Sequence, residues 1–231
     1  LSDPTALTAA STATRATPVA PDVAPATAPS RPVRLGYHGS AEVAARVVRL
    51  AGQDETAVRI EPYDIADPFA ELRRGAQDVV IVKFALREPD LVTSGVLTHD
   101  ARAVVVGAAH PLAGRASVSV EELADHDLFD RPGKLPGYVW DEVVPPRTPA
   151  GRPLRREHRV SDVPTMMRLV ARGAAVHLSL VSIADVAPPG IRVVPVHDLP
   201  AAPVALAWCK EREPAAHVAD FIAAAEAGAA R

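Results

Sequence analysis

Cysteine is almost missing. Cys209 stands alone, which excludes an internal disulfide and any cysteine-based metal cluster. Aromatic side chains are nearly as scarce, with four Phe, three Tyr and two Trp in 231 residues. A core therefore has to be assembled from Ala, Val and Leu. No apolar run approaches the roughly 20 residues needed to cross a bilayer. The N-terminus also lacks the basic start and apolar stretch of a secretory leader. A reducing, cytoplasmic setting is the expectation, although a leader removed ahead of Leu1 would leave no trace. The chain opens on Leu and not Met, a hint that something preceded it. Nor does one charge dominate: 25 basic against 28 acidic residues, for a formal charge of −3, are interspersed. That argues against a nucleic-acid groove, which needs a clustered basic face.

Catalytic signatures are missing as well. There is no G-x-S-x-G elbow, no phosphate loop and no G-x-G-x-x-G fingerprint. The histidines include no pair four apart on a helix and no H-E-x-x-H. Neither a metal nor a cofactor is therefore expected. His38 beside Ser40 is the one pairing with a base near a hydroxyl, the minimum for nucleophilic chemistry; a binding role is the stronger reading of it.

Proline is plentiful, 23 residues, about twice the usual share of roughly 5%. Much of the excess lies in residues 1–31, a Pro/Ala/Thr-rich stretch with few large apolar side chains. Such a segment cannot offset its ordering entropy by burial and reads as a disordered tail or linker.

From Val33 the pattern changes. Val33–Tyr37 reads as a strand, and Gly39-Ser40 opens a helix whose stripe is Val43, Val47 and Leu50. Val58 and Ile60 alternate as a second strand. Asp67-Pro68 looks like an N-cap with proline at the first helical position, and Gly75 suits the exit. Asp78–Val82 is an unbroken apolar strand, as in a sheet covered on both faces. This order predicts parallel pairing with right-handed crossovers. Strands are then expected around Leu91–Leu97 and Ala101–Val106, and Ser119–Glu122 is a capping box. Leu128-Phe129 reads as a strand, while 133–153 is too rich in Pro and Gly to assign. A helix from Val163 to Arg172 ends at Gly173. Strands at Ala175–Leu180, Arg192–Val196 and Val204–Trp208 precede a final helix carrying Val218, Phe221 and Ile222. The class is α/β.

In order and wording these segments resemble the effector-binding, or substrate-binding, domain of LysR-type transcriptional regulators, from about Pro32 to Ala225. The resemblance is carried by Val33–Gly36, by Gly75–Ile81, by Val104–Arg115 with its His110-Pro111-Leu112-Ala113 passage, by Ser119–Leu123 with Leu128-Phe129, and by Val170–Gly173. It implies two Rossmann-like lobes joined by two crossover strands, an architecture of the type 2 periplasmic-binding-protein kind. Lobe one would hold 32–115 and 196–231, and lobe two 116–195, with crossings near His110–Ser117 and Val193–Val196. The family's winged helix-turn-helix and linker helix do not occur in this sequence, so DNA contact is expected only through an N-terminal domain outside it. A small-molecule effector, an organic acid or amino-acid-like metabolite, and a homodimer or homotetramer are further expectations. Alternatives are a free-standing enzyme or ligand carrier on the same fold, or an extracytoplasmic solute-binding protein.

In open α/β sheets ligands sit beyond the carboxyl ends of the strands. That places His38, Gly39 and Ser40 at the cleft, where helix-terminal N–H groups and the helix dipole favour an anion; Ser40 reads equally as the N-cap. Lys83, Phe84 and Ala85 follow the third strand, and Lys83 can neutralise an acidic effector or simply be solvated. Asp64, in a turn matching a contact position of the family, leaves an amine-bearing effector open. Arg131 can reach the cleft but reads first as a surface residue. Ser161, Asp162 and Thr165 open a helix opposite, with Asp162 reading first as its cap. Ser179 lies in an apolar strand beside His177, which reads as a satisfied core histidine.

Overall fold

The computed structural model describes residues 31–54, 56–160 and 162–231. The tail expected over 1–31 lies outside them except for Arg31, and so do Glu55 and the candidate site residue Ser161.

Strands β1 (Val33–Tyr37), β2 (Val58–Pro62) and β3 (Val79–Lys83) pair in parallel with β1 in the middle. Leu35 faces Ile60 on one side and Val79 on the other. Helix α1 (Ala41–Leu50) connects β1 to β2, capped by the Ser40 hydroxyl, and turns Ala44, Val47 and Val48 inward. The apolar run of β3 has a direct cause. Val79 and Ile81 enter the cluster under α1, while Val80 and Val82 enter a second cluster with Phe69 and Leu72, so both faces of the strand are buried. Helix α2 (Ala70–Arg73) is shorter than the Asp67–Gly75 element expected. Its N-cap position falls on Phe69, with no side-chain bond. The Asp67 carboxylate is drawn instead to the Lys134 ammonium, 2.6 Å away.

The chain continues through β4 (Leu91–Thr93) and β5 (Thr98–Asp100) and then leaves this sheet. β6 (Arg102–Gly107) lies between two later strands, β9 (His177–Leu180) and β10 (Ile191–Pro195), antiparallel to both. Between β6 and β9 come β7 (Asp127–Phe129), α3 (Gly137–Val143), β8 (Arg155–His158) and α4 (Val163–Ala171). The capping box of Ser119 and Glu122 forms, on a 3-10 turn (Val120–Asp125). β7 and β8 pair in parallel. Another 3-10 turn, Val181–Val186, links β9 to β10. β11 (Ala202–Cys209) returns to the first sheet beside β3, β4 and β5, and α5 (Ala216–Ala229) packs Val218, Phe221 and Ile222 against α1's cluster.

The described strands form a six-stranded sheet, a three-stranded sheet and the two-stranded β7–β8 pair, and they fall into two α/β units, the first on the six-stranded sheet and the second on the other two. By sheet membership the first crossing falls between Asp100 and Arg102, ahead of His110–Ser117, and the return lies between Pro195 and Ala202. The strand over 102–107, expected in the first lobe, belongs to the second sheet. Its pairing with 191–195 is a long-range choice that local pattern does not encode.

Candidate functional site

Three chain reversals from the first unit meet elements of the second around one cavity of about 170 Å³. From the first come His38 and Gly39 after β1, the Tyr63–Phe69 turn after β2, and Lys83 at the end of β3 with Phe84 after it. From the second come Phe129 at the end of β7, Trp140 of α3, Met166 of α4, and His177 and Ser179 of β9. The lining is chiefly apolar and aromatic, which is how small-molecule sites are built.

Phe84 marks the site through its backbone. It is the only described non-glycine residue with positive φ, 71°, a conformation that costs a bulky side chain about 1–3 kcal/mol and clusters at functional sites. The strain turns its ring inward, where it is 8% exposed, under the Arg102 guanidinium at 5.2 Å. Arg102, buried at the first crossing, donates to the Glu142 carbonyl at 2.9 Å and to that of Val143, at the end of α3.

The polar groups divide into spent and unspent. Lys83 Nζ donates to Asp100 Oδ2 and to Ser182 Oγ, each at 2.9 Å. The Ser40 hydroxyl donates to Asp185 while accepting from the Val43 N–H at 3.3 Å; it therefore holds the turn after β9 and not His38. Tyr63 Oη donates to the Ile81 carbonyl at 3.0 Å. His38 packs 5.9 Å from the Tyr63 ring. Burial pushes its imidazole down to about 4, with the Lys83 charge adding. His177 is also pushed down to about 4, by burial first and by His38 second. Both rings are therefore neutral at physiological pH. His177 lies edge-on to Phe129 at 5.7 Å and stacks on Trp140 at 6.3 Å. Two buried polar atoms in this group make no hydrogen bond to the described residues, His177 Nδ1 and Trp140 Nε1.

Of the residues singled out in the sequence, His38, Gly39, Lys83, Phe84, Asp162 and Ser179 border the cavity. Ser40 does not; it is 1% exposed and acts as cap and tether. Asp64 accepts from the Ala66 N–H at 2.8 Å, closing its own turn. Arg131 donates to the Gly133 and Leu135 carbonyls at 3.3 and 2.7 Å, which shapes its loop. Ala85 is exposed, and Thr165 accepts from Arg168 at 2.7 Å. Asp162 caps α4, accepting from the Thr165 N–H at 2.7 Å.

Sequence reasoning missed Trp140, which lies in the Pro- and Gly-rich stretch over 133–153. Its helix is only seven residues long, too short for a periodic stripe; an indole in an aromatic-poor chain is the one available signal. His177 reads in the sequence as a satisfied core residue. It is core, but Nδ1 is unpartnered among the described residues. Asp185 carries no local signal at all, since its role is a contact across 145 positions.

Comparison with known proteins agrees with this architecture. A structure of a Corynebacterium glutamicum OxyR C206 mutant superposes with TM-score 0.63 at 20% identity, over 85% of this chain and 63% of that one. The chain thus spans under two thirds of that relative's length. The BenM effector binding domain with its effector benzoate gives 0.61 at 20% identity, covering 84% and 90%. Full-length CbnR complexed with target DNA gives 0.64 at 20%, covering 86% and 71%. At such identities the likeness speaks for the fold. No match is found among curated protein sequences. The sequence profile of the LysR substrate binding domain covers residues 24–230, and the chain belongs to that family.

Proposed function

We propose that this chain binds a small-molecule effector in the cavity between its two α/β units, and that occupancy resets their placement. The change would pass to a DNA-binding region of the same regulator. The observation that carries this reading is the cavity of about 170 Å³ bordered by both units at the carboxyl ends of β1 and β3. A ligand there touches both, so its affinity depends on how they are placed, which is the condition for shifting a conformational equilibrium. The pairing of benzoate with BenM and of target DNA with CbnR supports the two halves of the reading. A cytoplasmic location and assembly into dimers or tetramers complete it. No described helix is long and apolar enough to cross a membrane.

The test is a thermal-shift screen against a broad metabolite panel. A true effector at a hundredfold excess over Kd adds about 2.7 kcal/mol to stability, and its shift is expected to vanish in Val163→Phe, which projects bulk into the cavity from the start of α4. A hit unaffected by that variant places the effector elsewhere. A panel without any hit counts against effector binding itself.

A further inference from the structure

The cavity has the size of one ring and no spare charge. At about 170 Å³ it compares with the roughly 150 Å³ apolar cavity that accepts benzene, and falls below the roughly 300–1,000 Å³ of sites for larger ligands. Every cation near it is committed. Lys83 is held by Asp100 and Ser182, Arg102 by two carbonyls of α3, and Arg131 by two carbonyls of its own loop. The carboxylates at the rim are committed too: Asp130 accepts from Arg159 at 3.1 Å, and Asp162 from the Thr165 N–H. A carboxylate entering here would lose its water, meet Asp130 and Asp162, and find no free cation among the described residues. Burying an unpaired ion costs far more than an apolar contact returns. The unspent groups are of another kind, the indole N–H of Trp140 and Nδ1 of His177, on rings stacked 6.3 Å apart.

We infer that the cavity takes an uncharged, single-ring-sized ligand bearing a hydroxyl or carbonyl oxygen that, as the Trp140 and His177 rings shift to admit it, accepts from Trp140 Nε1 and pairs with His177 Nδ1, two atoms that the empty cavity keeps closed to water. This rests on the cavity being the effector site, and it departs from the organic-acid effector that the family resemblance implies. The neutrality of both imidazoles at physiological pH fits it, because neither supplies a counter-charge to an acid. A hydroxyl suits the pair best, since it can accept from the indole and still donate to the imidazole.

Three probes of one ring and different charge decide the matter: benzyl alcohol, benzoate and benzylamine, titrated calorimetrically into the protein near neutral pH. Benzyl alcohol is expected to bind at least about tenfold more tightly than either ion, a gap of about 1.4 kcal/mol. Trp140→Phe, which keeps an aromatic ring and removes the donor, is expected to weaken it by about tenfold. Benzoate or benzylamine binding as well as the alcohol, and losing that binding in Val163→Phe, would overturn the inference while leaving the site in place. Binding that survives Val163→Phe would overturn both. If none of the three binds, the ligand class is wrong, and the metabolite screen decides the site on its own.

Discussion

At the residue scale, the two deeply buried histidines make a statement about stability, and partial burial beside His126 shifts His110 in the same direction. His38 and His177 have folded values of about 4 against an ordinary 6.5. Between those values the unfolded chain takes up protons that the fold refuses. Their contribution is therefore fully present above pH 6.5 and drains away as the pH falls toward 4. Each tenfold loss of proton affinity on folding is worth about 1.4 kcal/mol, so each ring can contribute on the order of 3 kcal/mol. The total is less than twice that, because His38 itself helps to depress His177. Urea unfolding midpoints are expected to drop steeply from about pH 6.5 downward. In His177→Phe, which preserves the stack on Phe129 and Trp140, the slope should shallow. A flat profile over that window would show that the rings are not buried as described. The carboxylates held low by partners, Asp78 beside Arg34 among them, act below this window and do not confuse it.

At the element scale, the loop ahead of α3 closes one side of the cavity by backbone contact. Gly133 has φ +44° and sits so close to Ala66 that an added Cβ would overlap the Ala66 carbonyl oxygen. The neighbouring Lys134 N–H donates to that same oxygen at 2.6 Å. No side chain fits there, and the backbone angle is unfavourable for any residue but glycine. Gly133→Ala should push the loop off the β2–α2 turn, destabilise by about 1–3 kcal/mol, and weaken ligand binding severalfold. Unchanged binding calorimetry and an unchanged melting point would mean that this contact does not close the site. Element by element, much of the fold is legible in the sequence. The Ser40 cap, the unbroken apolar run of β3 and the glycine stop of α4 at Gly173 are local signatures with local causes. α2 is legible in place and exit but not in its start, and α3 is not legible at all, for opposite reasons. Asp67 looks like a cap but is recruited by Lys134 from 67 positions away, and α3 is held by burying Val139 and Trp140 with no local stripe to announce it.

At the scale of the whole molecule, the two units touch on both sides of the cavity. On one side Gly133 and Lys134 meet Ala66 and Asp67. On the other, the Val181–Val186 turn is tethered through Ser182 to Lys83 and through Asp185 to Ser40. The cavity is already partly open to solvent, and loosening either seam would widen the way in. Removing the exposed tether with Asp185→Ala is expected to raise association and dissociation rates together by severalfold, with a smaller change in Kd and under about 1 kcal/mol in stability. Stopped-flow traces of ligand binding read this directly, and rates identical to the parent would remove the seam as a gate.

The sequence by itself determined the α/β class, the parallel opening of the first sheet, the family resemblance and the turns after β1 and β3 that border the site. The class, the sheet opening and the turns follow from periodicity, caps and turn residues, which act over a few positions; the resemblance rests on the passages from Val33–Gly36 to Val170–Gly173 taken in order. Tertiary structure alone decided which sheet receives β6, which charges are already spent, and that His177 and Trp140 share a wall. Each of those outcomes depends on partners distant in the chain. The uncharged ligand inferred above rests on the same cause: Lys83 reads in the sequence as available to an acidic effector or solvated until Asp100 and Ser182 are brought to it, and folding is what brings them.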